Sequence, residues 1–395
     1  MPRLRLSCQP GFLAPLLVAA TCVANAALRA LPLDRVSYRV WEALRTFGEE
    51  TPFRPNARYD RPRVYGNLAA LGNQPDLRQP HRVVFSTDAL GYHNPPGAGP
   101  AGSPSAILFG SSFSAGTEVS DGEDLTAQLG ALTGRRVYNA APGDPVPATV
   151  EALAARVGLA GGVVIFEYYE GSGPPAMIPR ASDPREVRCR VALGTWVTRP
   201  ACDAFTWAAN RLAVSPLQVF ADRLYRRAQN GVLLPNPAAA RVSRARLSNG
   251  VEILFLAGER TNLHRERDTA GAERYFAWLA GRLALRGRRL FVVLAPQKYT
   301  VYAPFLSTPD PAAEPRYLAA LEQRLSARGI GVVNLVGPLR EAAERALQRD
   351  SLIYWRDDTH WNAAGNAAAA RAIAPVLERQ LSAISRQPSA RPVRD

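Results

Sequence analysis

The chain has 395 residues, of which 47% are hydrophobic and 21% charged, so it can bury a sizeable core and is not a wholly disordered chain. Its formal net charge of +14 comes almost entirely from arginine, because Lys298 is the only lysine. The arginines are scattered and no nucleic-acid-binding module accompanies them, which argues against a nucleic-acid partner and leaves an anionic polymer or a membrane surface open.

The first predicted element is an apolar segment near the N-terminus. Arg3 and Arg5 precede an uncharged stretch at residues 6–28, and an Ala-Asn-Ala sequence at 24–26 resembles a small-residue cleavage site. This order predicts a signal peptide over residues 1–28 and a periplasmic or cell-envelope location. The uncharged stretch just reaches the ~20 residues that span a bilayer, so an uncleaved membrane anchor is an alternative and a buried helix is another.

The rest of the chain divides by composition into an α/β region with an interruption. Residues 29–80 are rich in Pro, Arg and Asn and are interpreted as a linker or stalk. Short apolar runs then alternate with helical periodicity, which predicts an α/β fold with a central, mainly parallel sheet covered by helices. The predicted strands are 106–109, 136–139, 162–166, 290–294 and 332–335, and the predicted helices are 125–132, 148–157, 272–286, 317–328 and 362–381.

These elements place the main domain at residues 81–170 and 251–383. Residues 171–250 break the alternation and are interpreted as an insertion or cap, and residues 384–395 as a disordered tail. Within the insertion, Cys189 and Cys202 are the only cysteines that follow the N-terminal segment. Their spacing suits one disulfide in an oxidising compartment. No histidine lies near them in the sequence, so no metal site is predicted there.

A serine cluster follows the first predicted strand of the main domain. Phe109-Gly110 is followed by Ser111, Ser112, Phe113 and Ser114. A serine nucleophile needs an exposed turn at the end of a strand, and the backbone N–H groups of a following helix can hold an oxyanion. The alternative is a structural turn in which a serine caps the helix.

A second cluster precedes the last predicted helix. Asp357, Asp358 and His360 lie within one short loop, followed by Trp361. Serine-dependent acyl transfer needs an imidazole base and a carboxylate that orients it, and this loop offers both. The alternative makes the carboxylate a helix cap and His360 a surface residue.

Together the two clusters resemble the SGNH/GDSL hydrolase superfamily, in which a serine block opens the domain and an Asp/His block closes it. The Asp-Thr-His-Trp sequence at 358–361 resembles in particular the alginate O-acetyltransferase (AlgJ/AlgX-like) group. The resemblance implies a three-layer α/β sandwich, a triad of Ser112, His360 and Asp358, and oxyanion donors at the backbone of Ser112 and Gly143. Asp357 has the Asp-x-x-His spacing of ordinary SGNH enzymes and is the alternative acid.

The sequence also departs from the family pattern. Ser111 replaces the usual aspartate before the nucleophile, and the asparagine of the third family block has no clear counterpart near Glu167. The Asp-Thr-His-Trp block lies downstream of the serine block, whereas it lies upstream in the alginate proteins. Glu167 and Glu170 are interpreted as structural residues that pair with arginines.

Three further side chains are candidates for substrate contact. Lys298 and Tyr299 follow a predicted strand and are assigned to binding of an anionic polymer, and Trp361 of the Asp/His block is assigned to substrate binding. The alternative for Lys298 is a surface lysine at a strand end.

The expected function is therefore an exported O-acyltransferase that acetylates a cell-surface or secreted polysaccharide without a metal or cofactor. By the resemblance, a membrane O-acyltransferase partner supplies the acyl donor. Two alternatives stay open: a carbohydrate esterase or deacetylase, in which water replaces the sugar, and a non-catalytic polysaccharide-binding assembly protein on the same fold.

Overall fold

A computed structural model describes residues 10–29, 39–44, 51–72, 74–97, 102–172, 189–190, 196–197, 224, 228, 241–263, 267–310 and 313–385. Its helices are α1 (Pro10–Arg29), α2 (Val40–Leu44), α3 (Asn67–Leu71), α4 (Ser112–Ala115), α5 (Leu125–Thr133), α6 (Pro147–Val157), α7 (Ala257–Leu263), α8 (Thr269–Ala284), α9 (Lys298–Tyr302), α10 (Arg316–Ala327), α11 (Val336–Leu347) and α12 (Ala363–Ser385). Its strands are β1 (Arg58–Val64), β2 (His81–Ser86), β3 (Ala106–Phe109), β4 (Val137–Asn139), β5 (Gly162–Tyr169), β6 (Cys189–Arg190), β7 (Trp196–Val197), β8 (Val242–Arg246), β9 (Glu252–Leu256), β10 (Arg288–Ala295) and β11 (Gly331–Asn334).

A parallel five-stranded sheet forms the centre of the fold, in the order β4-β3-β5-β10-β11. The chain runs from β3 to one neighbour, β4, and then crosses to the other neighbour, β5. In open α/β sheets such a reversal of strand order leaves a crevice at the carboxyl ends of the two strands, where ligands bind. The prediction of an α/β fold with a central parallel sheet is confirmed.

Helices cover both faces of this sheet. Along β3, Ala106 and Leu108 pack into one apolar cluster, whereas Ile107 and Phe109 pack into another. This alternation is the two-residue period of a strand that is buried on both faces. The first cluster includes buried side chains of α5, α11 and α12, and the second includes those of α6, α8 and α10.

The structure corrects the linker or stalk prediction for residues 51–80. β1 pairs with β2 in an antiparallel hairpin. Phe53 and Tyr59 are fully buried in an apolar cluster with Phe85 of β2, and Leu68 is buried beside Leu254 of β9. Burial of these large side chains stabilises a folded segment, so this part of the chain belongs to the globular body.

Several predictions fall on residues that the structure does not describe. Most of the 171–250 insertion, residues 386–395 of the tail, Cys202 and the side chain of Cys189 lie outside the described residues, so the disulfide stays a prediction. Residues 10–29 form helix α1. In the described part of the chain, none of the helices is both long and apolar enough to cross a membrane.

Candidate active site

The serine cluster forms a tight turn at the carboxyl end of β3. Gly110 follows the strand, and α4 begins at Ser112. The hydroxyl of Ser111 caps this short helix by accepting a hydrogen bond of 3.2 Å from the N–H of Phe113. The cap leaves the next side chain, Ser112, at the point where the strand order reverses.

Ser112 lies beside His360 although 248 positions separate them in the sequence. The distance from Ser112 Oγ to His360 Nε2 is 2.7 Å. The other ring nitrogen, Nδ1, lies 2.5 Å from Asp358 Oδ1, and the main-chain N–H of His360 donates to the same oxygen at 3.0 Å. Serine, imidazole and carboxylate therefore form one continuous hydrogen-bonded series.

The electrostatics of Asp358 suit a carboxylate that faces an imidazole. Asp358 is fully buried, and burial by itself opposes ionisation. The charge of His360, the hydrogen bond from its ring and a hydrogen bond from the N–H of Asn67 outweigh that effect and hold the pKa of Asp358 well below its usual range. The carboxylate is thus ionised throughout the physiological range and can stabilise an imidazolium.

Asp357, the alternative acid, faces away from the imidazole. Its Oδ2 accepts hydrogen bonds of 2.9 Å from the main-chain N–H groups of Gly66 and Gln79. Burial raises the pKa of this carboxyl. The geometry therefore puts Asp358 in contact with His360, whereas Asp357 binds the main chain of residues 66–79.

That segment, residues 66–79, is a part of the site that the sequence did not reveal. The N–H of Asn67 donates to Asp358 Oδ2 at 3.0 Å, and the Gln79 side chain accepts from the N–H of Arg356 at 2.9 Å. Gly66 lies so close to the loop that an added Cβ would come within 2.2 Å of the Asp357 carbonyl oxygen. It belongs to residues 29–80, a stretch whose content of Pro, Arg and Asn resembles that of a linker, and only the tertiary contacts show otherwise.

The assignment of Lys298 to substrate binding is corrected by its burial. Its side chain is fully buried, and the three N–H groups of its ammonium are shared among four main-chain carbonyl oxygens, of Leu254, Trp355, Arg356 and Asp358, at 2.7 to 3.1 Å. Burial lowers the pKa of Lys298 to about 8, although the nearby Glu259 carboxyl opposes that shift. Lys298 therefore holds the loop that carries Asp358 and cannot reach a polymer.

Tyr299 and Trp361 are also buried rather than available to substrate. Tyr299 is 6% exposed and donates to Asp310 at 2.8 Å. Trp361 is 2% exposed, and its ring packs edge-on against Phe113, with ring centroids 5.0 Å apart. Phe113 in turn lies 4.9 Å from the ring of His360. Trp361 therefore packs against Phe113, and Phe113 packs against the ring of His360.

The predicted oxyanion donor Gly143 is already engaged. Its N–H donates to the carbonyl of Gly110 at 2.9 Å, and its carbonyl accepts from the N–H of Gly110 at 3.0 Å. Asn139, the asparagine nearest to Gly143 in the sequence, is fully buried, and its side chain donates a hydrogen bond of 2.9 Å to the Ser114 carbonyl. The N–H of Ser112 stays a candidate donor, since the first N–H groups of a helix have no partner within it.

Among the described residues, neither Glu167 of β5 nor Glu170, which follows β5, forms an ion pair with an arginine side chain, in contrast to the prediction. Glu167 Oε2 accepts from the N–H and hydroxyl of Ser111 and from the hydroxyl of Ser114. Glu170 Oε2 accepts from the N–H of Gln297 and the hydroxyl of Thr300. Both carboxyls are buried, and burial raises the pKa of each, that of Glu167 to about 7.

Another carboxyl, Glu118, lies close to the Asp/His pair and was missed in the sequence. It is 4% exposed, and one of its carboxylate oxygens lies within 4.8 Å of ligand atoms of both Asp358 and His360. This composition is compatible with a metal ion. However, both ring nitrogens of His360 already have hydrogen-bond partners, so the cluster is better explained as two carboxyl groups close to the imidazole than as a metal site.

Comparisons with known proteins bear on this geometry. No curated protein sequence matches the chain. One solved crystal structure aligns with 70% of this chain and 97% of its own at 14% identity and a TM-score of 0.30. The protein YxiM from Bacillus subtilis aligns with 77% of this chain and 69% of its own at 10% identity and a TM-score of 0.34. At these TM-scores neither structure informs the assignment of the site.

The sequence itself gives a more specific match. The family model described as "SGNH hydrolase-like domain, acetyltransferase AlgX" matches residues 252–393, which include Asp358 and His360 but not Ser112. The resemblance drawn from the serine and Asp/His blocks is thereby confirmed: the carboxyl-terminal part of this chain matches the SGNH hydrolase-like family of the acetyltransferase AlgX.

Proposed function

We propose that the chain is an exported, serine-dependent O-acyltransferase that acetylates a cell-surface or secreted polysaccharide. The observation that carries this proposal is the hydrogen-bonded series from Ser112 through His360 to Asp358 at the switch point of the sheet. The match to an SGNH hydrolase-like acetyltransferase family supports acyl transfer as the class of reaction.

The geometry suits a two-step transfer. In the first step Ser112 Oγ attacks the carbonyl carbon of an acyl donor and forms an ester bond, while its proton passes to His360 Nε2. The bond from the carbonyl carbon to the leaving oxygen breaks, and that oxygen takes the proton from His360. In the second step a sugar hydroxyl gives its proton to His360 and attacks the ester, which releases Ser112 with its proton restored.

Asp358 contributes by fixing the ring of His360. Because its carboxylate accepts from Nδ1, the other nitrogen is the one left to accept the serine proton. The buried, ionised carboxylate also stabilises the positive charge that the ring carries during each step, while it holds the transferred proton. The Ser112 N–H is the donor we assign to the oxyanion.

The partners follow from the chemistry and from the family resemblance. An acyl donor outside the cytoplasm has to be delivered there, and we assign this delivery to a membrane O-acyltransferase partner. Export and the polysaccharide acceptor belong to the same proposal, supported by the uncharged N-terminal stretch and by the acetyltransferase family match.

The test uses the full chain and p-nitrophenyl acetate, with and without candidate glycans. Release of p-nitrophenol and acetylation of the glycan, followed by mass spectrometry, are both expected. Ser112→Ala and His360→Ala should each lower the turnover by more than about 10³-fold, because loss of a nucleophile or base removes several orders of magnitude. Ser351→Ala, which changes an exposed hydroxyl after α11, is the matched control and should leave turnover unchanged.

Each other outcome points to a different function. Ser112-dependent hydrolysis without glycan acetylation, across a panel of glycans, indicates an esterase and contradicts the transferase. Turnover that survives in Ser112→Ala contradicts the mechanism. A folded chain with no turnover that still binds glycans indicates a non-catalytic binding protein.

A further inference from the structure

A buried carboxylate lies directly beneath the turn that carries Ser112. Glu167 Oε2 accepts three hydrogen bonds: from the main-chain N–H of Ser111 at 2.7 Å, from the Ser111 hydroxyl at 2.8 Å and from the Ser114 hydroxyl at 3.1 Å. The two serines flank α4 residue Ser112 on either side. One oxygen atom therefore fixes the backbone before the candidate nucleophile and the side chain after it.

The sheet and the turn are shaped to allow this contact. Glu167 lies on β5, one residue beyond the pair that joins Phe166 to Phe109 of β3. Gly110 is the point of closest approach, since an added Cβ would lie 2.6 Å from Glu167 Oε2 and 2.8 Å from its Cβ. Any larger residue at 110 would push the carboxylate away from the turn.

The environment of Glu167 makes its charge costly. Its side chain is 1% exposed, and its second oxygen, Oε1, is buried and has no hydrogen-bond partner among the described residues. Desolvation raises the pKa of Glu167 to about 7, while the three hydrogen bonds and the nearby His360 act in the opposite direction. A buried carboxylate with an unsatisfied oxygen lowers stability, so packing alone does not account for a glutamate at this position.

We propose that Glu167 is the positioning residue of the nucleophile turn: its ionised carboxylate holds Ser111 and Ser114 so that Ser112 Oγ points at His360 Nε2. This inference rests on the proposed function, because it assigns to Glu167 a role in the attack by Ser112. When the carboxyl is ionised its hydrogen bonds are charge-assisted and stronger, and when it takes a proton they weaken. Nucleophile reactivity then depends on the charge of a side chain that does not touch substrate.

Glu170 provides a matched control within the same segment. It is also a buried glutamate, 3% exposed, whose pKa is raised by burial and whose Oε2 accepts from an N–H and a hydroxyl. Its partners are Gln297 and Thr300, which lie at α9 and not at the nucleophile turn. A change at Glu170 thus reproduces the loss of a buried carboxylate without touching Ser111 or Ser114.

The experiment measures the rate at which a fluorophosphonate labels Ser112 in the full chain. Ser112 Oγ forms a bond to phosphorus, fluoride leaves, and the serine proton passes to His360. Rates are compared for the wild type, Glu167→Gln and Glu170→Gln between about pH 5 and pH 9, with mass spectrometry to identify the labelled residue. Thermal unfolding of each variant is followed in parallel.

We expect Glu167→Gln to label about tenfold or more slowly at high pH, a change of about 1.4 kcal/mol or more. It should also lose the component of the wild-type pH profile with a midpoint near 7. Glu170→Gln should keep both the rate and the profile. Ser114→Ala removes a hydrogen bond that lowers the pKa of Glu167, so it should move that midpoint to higher pH. This variant replaces Glu167→Gln as the test if Glu167→Gln does not fold.

The outcomes separate this inference from the proposed function. If the wild type is labelled at Ser112 and Glu167→Gln matches it at every pH, the positioning role is wrong while the nucleophile stands. Equal losses in Glu167→Gln and Glu170→Gln, with unchanged pH profiles, also overturn it, because they indicate stability alone. If the wild type is not labelled at Ser112, the proposed function fails and this inference fails with it.

Discussion

The ammonium of Lys298 donates a hydrogen bond of 2.9 Å to the main-chain carbonyl of Asp358, so the only lysine of the chain holds the residue that faces His360. Three further carbonyls, of Leu254, Trp355 and Arg356, converge on the same ammonium. The Lys298 ammonium therefore holds the loop that carries Asp358 and His360 in place.

Lys298→Met should therefore lower the free energy of unfolding by about 3–5 kcal/mol, because it leaves four buried carbonyl oxygens without the ammonium and removes a positive charge that favours the ionised form of the buried Glu259. Tyr299→Phe, which removes one hydrogen bond to Asp310, should cost only about 1 kcal/mol. Urea unfolding measures both. Similar losses in the two variants would contradict the role assigned to Lys298.

The two adjacent aspartates should respond differently to the same substitution. Asp358→Asn removes the carboxylate that faces His360 Nδ1 and should lower ester turnover by about 10³–10⁴-fold. Asp357→Asn weakens the bonds from Gly66 and Gln79 and should cost about 1–3 kcal/mol of stability with a small effect on turnover. Turnover and urea unfolding are measured on both proteins, and a larger loss of turnover in Asp357→Asn reverses the assignment.

Two glycines allow a test of the close contact beneath the nucleophile turn. Gly110→Ala places a Cβ 2.6 Å from Glu167 Oε2 and should cost about 1–3 kcal/mol by overpacking, with slower labelling of Ser112. Gly281→Ala, in the last turn of α8, meets no atom within 4 Å and should raise stability by up to about 1 kcal/mol. Thermal unfolding compares the pair. If Gly110→Ala changed neither the thermal stability nor the labelling rate, the Glu167 carboxylate could move away from the turn without effect, and the close contact would not matter.

The raised pKa of Glu167 predicts the pH dependence of stability. A carboxyl that keeps its proton in the folded protein binds more protons than in the unfolded chain, so the free energy of unfolding falls as the pH rises from about 4.5 to about 7. Between these two pH values, one such carboxyl lowers the free energy of unfolding by at most about 3 kcal/mol. The wild type should lose this amount relative to Glu167→Gln in urea unfolding at a series of pH values, and parallel curves for the two proteins would rule out the shift.

The sequence predicted the parts of the site that depend on local order. Ser112 follows an apolar run that can only be a buried strand, and Asp358 and His360 share one loop, so short motifs identified them. The strands of the central sheet were likewise visible as apolar runs, because the inner strands, such as β3 and β5, are buried on both faces.

Other parts depend on contacts between distant residues and left no local pattern. β1 contains Pro62 and three arginines, so its pairing with β2 has no alternation to reveal it. Lys298 follows a strand. The neighbouring sequence would be the same for an exposed lysine as for a buried one that binds four main-chain carbonyl oxygens, so it could not distinguish the two. Gly143 matched a family block, but its N–H is engaged by Gly110 across the sheet end.

The contact between Ser112 and His360 also bears on the synthesis of the protein. The proposed nucleophile lies in the first third of the chain and its proposed base near the end, so a ribosome exposes the serine turn long before the loop of Asp358 and His360 has been made. Until α12 follows that loop and packs on α5, Ser112 is an ordinary, unactivated hydroxyl. Under the proposed mechanism, an unfinished chain therefore carries no activated serine, and acyl transfer requires the folding of the whole domain.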